Sequence, residues 1–436
     1  MKQTKTSKSL ITSSIEKSLK KRHAKEFRFK LMGRMAIGFG FLMLVILIFD
    51  IASKAMPAFY QHHLKIDVEY NKEWLEITLD EQGNFAEEAL NRANYRSMIR
   101  NSLYQMFPEV KGRKDKKSLL QLLSSNVEFD LRDQLLKNPA LIGTKHSIWL
   151  LADGDVDSYL KSNATIGEKN GRINAKQALW VQSLSENEKI KASANYLFFT
   201  NSDSRDPELA GIKGALVGTL LTMLVTLAIS FPIGLATAIY LEEFAPKNRW
   251  TDIIEININN LAAVPSIVFG LLGLAVIINL FGLPRSASLV GGIVLSLMTL
   301  PTIIIASRAS IKAVPISIKE AATGLGASKM QVTLGHVVPI AMPGILTGTI
   351  IGIAQALGET APLLMIGMVA FIVDVPSGFT DAATVMPVQI FLWADSPEQG
   401  FLAKTSAAIF VLLVVLFMIT FSATLLRKKF ENKVNK

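Results

Sequence analysis

The residues most able to do chemistry in this chain are few, and the foremost of them stands among apolar neighbours. Glu359 lies inside a long apolar run, near the middle of what reads as a membrane-crossing helix, where a charge costs roughly 2.5 kcal/mol or more. Such a residue is functional by default. Its options are protonation, a cation from a partner subunit, or hydrogen bonds, for which Gln355 one turn earlier and Thr360 are the partners within the chain. The other apolar runs hold no Lys or Arg. Ser266 and Thr360 could donate hydroxyl hydrogen bonds to an oxyanion, and Pro232, Pro265 and Pro362 could break helices and free backbone groups along a pathway.

Outside the apolar runs the familiar catalytic arrangements are missing. Asp153, Asp155 and Asp157 open like a calcium loop, but Ser158 stands where the turn glycine should be and Ala164 where the bidentate glutamate should be, which favours a solvated turn. His62 and His63 are adjacent, so their side chains diverge instead of facing one metal. No Ser/His/Asp set has supporting context, and there is no Gly-x-Ser-x-Gly and no Gly-rich dinucleotide loop. A phosphate-cradling loop needs Gly-Lys, a dipeptide this chain lacks, so any ATP that drives it must be bound by another polypeptide. The absence of Cys excludes thiol chemistry, disulfides and Cys-ligated metal centres. Neither an enzyme, a metal nor a cofactor is expected.

What must position Glu359 is a set of membrane helices. The 436 residues carry 46 Lys and Arg against 36 Asp and Glu, a net charge of +10, yet half are hydrophobic and the mean hydropathy is +0.34. A spanning helix needs about 20 apolar residues. Six runs meet or approach that length: 35–53, 215–241, 261–281, 288–307, 343–373 and 405–426, the third and fourth joined by a tight turn at Gly282 to Arg285. The fold expected is an all-α integral membrane protein of six helices, with an α+β domain at 54–214 inserted after the first. Within it, alternation at Leu64, Ile66, Val68 and Tyr70 and again at Leu75, Ile77 and Leu79 predicts two strands, while 84–106 and 117–136 read as helices.

Lys and Arg set the expected orientation. Residues 1–34 hold eleven of them, which places this basic segment in the cytoplasm, beside anionic lipid headgroups and not nucleic acid. The first run then reads as a retained anchor and 54–214 as extracytoplasmic, periplasmic in a bacterial inner membrane. Six crossings return the basic tail, 427–436, to the cytoplasm, the side that also takes the loop 308–342 with Arg308, Lys312, Lys319 and Lys329. Residues 242–256 dissent weakly, with Lys247 and Arg249 against Glu242, Glu243, Asp252 and Glu255.

The loop 308–342 carries the most informative soluble pattern. Pro315 suits the first turn of a helix and Gly324 or Gly326 its stop. Ile318, Ala321, Ala322 and Leu325 form one narrow apolar stripe, suited either to a partner surface or to a helix lying flat on the membrane. Gly344, Gly348, Gly352 and Ala356 repeat every fourth residue, a face that lets another helix approach closely, within the chain or across a dimer seam.

Glu320-Ala321-Ala322, followed by Gly326 and by Pro339, resembles the EAA signature of ABC-importer permeases, with His336 and Val338 departing from the usual aliphatic and Leu. The resemblance implies that this loop is the coupling helix that docks in a groove of the ATPase. Leu261 to Gly270 and Ala356 to Leu364 are similar to segments of phosphate-importer permeases of the PstA type, over about residues 211–426. That implies a permease paired with a second, homologous permease, two copies of a cytoplasmic ATPase and an external phosphate-binding protein, importing inorganic phosphate. Many relatives have Arg where Gln355 stands. A permease for sulfate, molybdate or phosphonate, or a membrane-anchored receptor or scaffold acting through 54–214, remains an alternative.

Overall fold

Two of the expected membrane helices are broken. The computed structural model describes residues 3–77, 87–162, 173–368 and 371–434. The chain divides into two units, 1–54 and 55–436. The first unit belongs to one helix, α1 (Gln3–Ala55), which runs through both the basic segment and the apolar run. Lys, Arg, Glu, Leu and Met are strong helix formers, and the isolated Gly33, Gly38 and Gly40 cost about 1 kcal/mol each without stopping it. Lys30 pairs with Glu26 and Lys54 with Asp50, each one turn apart.

The second unit opens with an α+β segment. Its sheet has the order β2-β1-β3, antiparallel throughout, with β1 (Tyr60–Glu69) between β2 (Lys145–Leu151) and β3 (Ile190–Ala194). Leu64, Ile66 and Val68 alternate onto the buried face, as period 2 requires. They meet a core of Tyr70, Leu75, Met98, Leu103, Leu119, Leu131 and Leu135 drawn from the helices α2 (Lys72–Leu75), α3 (Glu87–Arg92), α4 (Tyr95–Met106), α5 (Arg113–Leu120) and α6 (Val127–Lys137) and the residues beside them. Where a strand was expected, Leu75 ends α2 and Ile77 follows just beyond it, while Leu79 lies outside the described residues. The two long helices expected here are each broken. Asn94 caps α4 by accepting from Ser97 N–H, and 121–126 separate α5 from α6. Helices α7 (Gly154–Ser162) and α8 (Ala175–Glu186) lead to β3, and α9 (Leu197–Thr200) leads out.

The remaining helices pack through glycine. The helices α10 (Lys213–Ile239) and α13 (Ser288–Lys312) lie so close that a Cβ on Gly292 would stand 2.4 Å from Val225 and one on Gly234 2.8 Å from Ile303. Between them come α11 (Arg249–Ala262) and α12 (Ser266–Leu272), the latter continuing as a π-helical turn to Ile278. The helix expected over 261–281 is therefore corrected to a pair bent by 102°. Pro265 is the cause, because it drives Val264 out of helical geometry and lacks an N–H of its own.

After α14 (Ile316–Gly324) and α15 (Lys329–Val332), α16 (Val338–Leu357) ends where the run 343–373 was expected to continue. Gly358, Glu359 and Thr360 form a break, α17 (Ala361–Met365) has five residues, and Gly367 at φ 93° turns the chain away. Then come α18 (Met386–Ala394) and α19 (Gly400–Val434). Among the described residues, five helices are long and apolar enough to cross a membrane, and the bent pair makes a sixth if it counts as one span.

Candidate functional site

The loop between α13 and α16 is a compact helical hook. Pro315 precedes the first turn of α14, and Gly326 at φ 87° ends it in a conformation that a side chain resists. Ser328 and Gln331 then form a capping box that starts α15, and a π-helical turn, Thr333–Val337, runs into α16 with Pro339 in its first turn. The apolar stripe does not act as one face. Ala322 is buried with Ala238, Ile311, Val332, Val337 and Ile345, whereas Ala321 is exposed and Leu325 is 91% exposed. Ile316, Glu320 and Met330 are exposed with them, so the hook presents a mixed apolar and acidic tip to its surroundings.

Ion pairs tie the hook to the neighbouring helix ends. A second π-helical turn, Tyr240–Phe244, extends α10. Its Glu243, only 10% exposed, accepts from Lys319 of α14 at 2.5 Å, and the Lys329 ammonium lies 5.4 Å from the Phe244 ring centre. Glu242, next in the same turn, lies 3.5 Å from Arg308 of α13, which also donates to Glu255 of α11 at 2.5 Å. Sequence reasoning saw these acids only as a weak exception to the charge bias. The available signal was their match in number to the four cations of the facing loop.

The second group is the meeting of the two breaks. A Cβ on Gly270 of α12 would stand 2.6 Å from Pro362 Cα, and one on Gly273 3.1 Å from Ile366, so the half-helices after each break pack directly on one another. Glu359 is not in mid-helix, as expected, but two residues beyond the end of α16, half-buried in the break with Thr360. Ser266 opens α12 and is half-buried, while Gln355 is exposed on the last turn of α16. No hydrogen bond or ion pair among the described residues joins Glu359 to Gln355 or Thr360. Gly344 and Gly348 rest against Ser310 and Ala306, and Gly352 faces Thr299 and Ile303, all on α13 of the same chain.

A third group joins the α+β segment to α19. Ser124 donates to Glu208 at 2.6 Å, Ser125 to Asp206 at 2.7 Å, and Trp393 to Asp203 at 2.9 Å. Lys404, one turn into α19 and 5% exposed, donates to the Ala210 carbonyl. Burial pushes the Glu208 carboxyl up to about 7 and that of Asp153 up to about 6. Burial also pushes Asp157 upward, but its hydrogen bond from His62 and the Lys161 ammonium outweigh this and hold it below its ordinary value. A cavity of about 240 Å³ opens beside Gln61, Lys161, Asn195, Glu208 and Lys404. The three aspartates do not converge: Asp153 accepts from Asp155 N–H, while Asp157 faces His62. His63 turns instead to Ser193. Ala164 lies outside the described residues.

Residues 230–435 match the family described as binding-protein-dependent transport system inner membrane component, and 16–168 match a domain of unknown function. The chain is 34% identical over 218 residues to the phosphate transport system permease protein PstA 1 of Mycobacterium tuberculosis, covering 50% of this chain and 70% of that one. It is 28% identical over 253 residues to the phosphate transport system permease protein PstA of Yersinia pestis, covering 58% and 84%. A solved chain of the MetNI methionine ABC transporter, in an inward-facing conformation, aligns at 16% identity with a TM-score of 0.39, covering 50% and 95%. The chain thus belongs to the PstA-type ABC transporter permeases, which are transport subunits and not enzymes.

Proposed function

We propose that this chain is the six-span membrane subunit of an importer of inorganic phosphate, with its termini and the hook in the cytoplasm and residues 54–214 in the periplasm. It works with a second, homologous permease, two copies of an ATPase and an external phosphate-binding protein. The observation that carries the reading is the hook itself: a short helix, stopped by Gly326, that holds Glu320, Leu325 and Ile316 exposed while Ala322 anchors it to the ends of α10 and α16. Closure of the ATPase dimer moves that helix, and the bent and broken helices change the access of the pathway beside Glu359, Thr360, Gln355 and Ser266. A carboxylate repels phosphate, so Glu359 serves gating or pairing with the second permease rather than direct contact. Positive character then comes from the partner or from helix N-termini.

The test is uptake of labelled phosphate at low external concentration in cells lacking the chain. Wild type is expected to restore uptake that resists sulfate and molybdate. Gly326→Pro is expected to insert yet abolish uptake, because proline is locked near φ −65° and cannot take the position at φ 87°. Uptake indifferent to the chain removes the substrate assignment, and full uptake by Gly326→Pro removes the coupling role.

A further inference from the structure

The ion pairs beneath the hook form a continuous line across four helical segments. Lys319 on α14 meets Glu243, Glu242 follows it in the π-helical turn of α10, Arg308 on α13 lies by Glu242, and Glu255 on α11 closes the series. Adjacent residues on a helical turn point in clearly different directions, so one turn with two consecutive glutamates reaches two different neighbours. A π-helical turn at such a place often marks a functional site.

We propose that Glu243, Glu242, Arg308 and Glu255 are positioning residues that relay movement of the hook to α11 and so to the bend at Pro265. The inference rests on the reading of α14 as the element the ATPase moves. Three features support it. The pairs are partly buried, so they hold fixed geometry better than surface pairs do. Arg308 is shared unequally, 2.5 Å from Glu255 and 3.5 Å from Glu242, which allows its guanidinium to transfer its hold from one helix end to the other. Beyond Glu255, α11 leads directly to the 102° bend, and the half-helix after that bend seats Gly270 on Pro362, next to the break that holds Glu359. The series therefore leads from the hook to both breaks.

The experiment uses the complete transporter in proteoliposomes with the binding protein and inorganic phosphate, reading phosphate moved and ATP hydrolysed together. Assembly is checked by co-purification with the ATPase. Lys319→Glu and Glu243→Lys are expected each to lower phosphate moved per ATP by about tenfold, and the double swap to recover most of it. Glu255→Gln, a milder change further along the line, is expected to lower the same ratio without loss of assembly. Single swaps that transport like wild type, or a double swap no better than either single, overturn the relay. A swap at Lys319 that Glu243→Lys fails to rescue assigns Lys319 to the ATPase surface instead. Gly326→Pro, run in parallel, separates the two claims: normal coupling there removes the coupling reading itself, whereas uncoupling there with unaffected swaps removes only the relay.

Discussion

Glu208 holds its proton over a pH range in which a solvated carboxyl has lost it. Burial, with Asp153 and Asp206 as acidic neighbours, raises it from 4.5 to about 7, against the opposing hydrogen bond from Ser124. The folded protein then binds more protons than the unfolded chain between those values, so stability falls as pH rises from about 4.5 to about 7. Thermal unfolding of the purified protein across that range should show the decline, and Glu208→Gln should make it shallower, leaving the part that Asp153 contributes below about 6. A profile unchanged by the substitution would show that Glu208 does not control it. Nothing in the spacing of residues announces this group, because its environment is assembled from Ser124, Gly154 and Lys404, which are far apart in the chain. Gly326 is the opposite case: a glycine after a short apolar stripe is a local signal, and its positive φ is a local property.

Among helices, composition predicts where apolar length lies better than where the backbone bends. The runs at 215–241, 288–307 and 405–426 correspond to α10 (Lys213–Ile239), α13 (Ser288–Lys312) and α19 (Gly400–Val434), the last extending well beyond the run at both ends. The runs at 261–281 and 343–373 hide breaks, because hydropathy passes unchanged through Val264-Pro265 and because a glutamate in an apolar run looks the same in a helix as beside one. What holds the broken pieces is close packing at glycine, which sequence reasoning assigned only to 344, 348 and 352. Gly270→Ala tests this directly. Its new methyl would lie 2.6 Å from Pro362 Cα and 2.8 Å from its carbonyl oxygen, backbone atoms that cannot rotate aside. Overpacking of this kind costs about 1–3 kcal/mol, and a lowered melting temperature in detergent is the expected reading. An unchanged melting temperature would mean that the two half-helices separate freely.

Within the second unit, the ion-pair line beneath the hook and the α+β segment lie by opposite ends of α10. Glu242, Glu255, Arg308 and Lys319 gather where α10, α11, α13 and α14 meet, while the strands, Glu208 and Lys404 lie by the first turns of α10 and α19. The Lys and Arg bias was legible in the residues, as was the mix of strand and helix in 54–214, whose alternation at Leu64 to Tyr70 marked β1 but left β2 and β3 unmarked. An orientation test needs no prior removal of reactive groups, since the chain has no cysteine. Ser185→Cys, on the exposed side of α8, should react with an impermeant maleimide in intact cells. Ser328→Cys, on the hook, should react only after permeabilisation, and the reverse pattern would invert the topology.

The glycine seams along α13 bear on how little motion suffices. This helix has 25 residues, about 37 Å, with Arg308 near one end and the Ala287–Ala382 bridge at the other. Gly292 presses on Val225, Gly344 on Ser310 and Gly348 on Ala306, so the rod is seated without slack on both flanks. A rod so seated cannot tilt alone: any displacement at its Arg308 end is passed to α10 and α16 through these contacts, so the three helices shift as one block and little of the movement is lost between them.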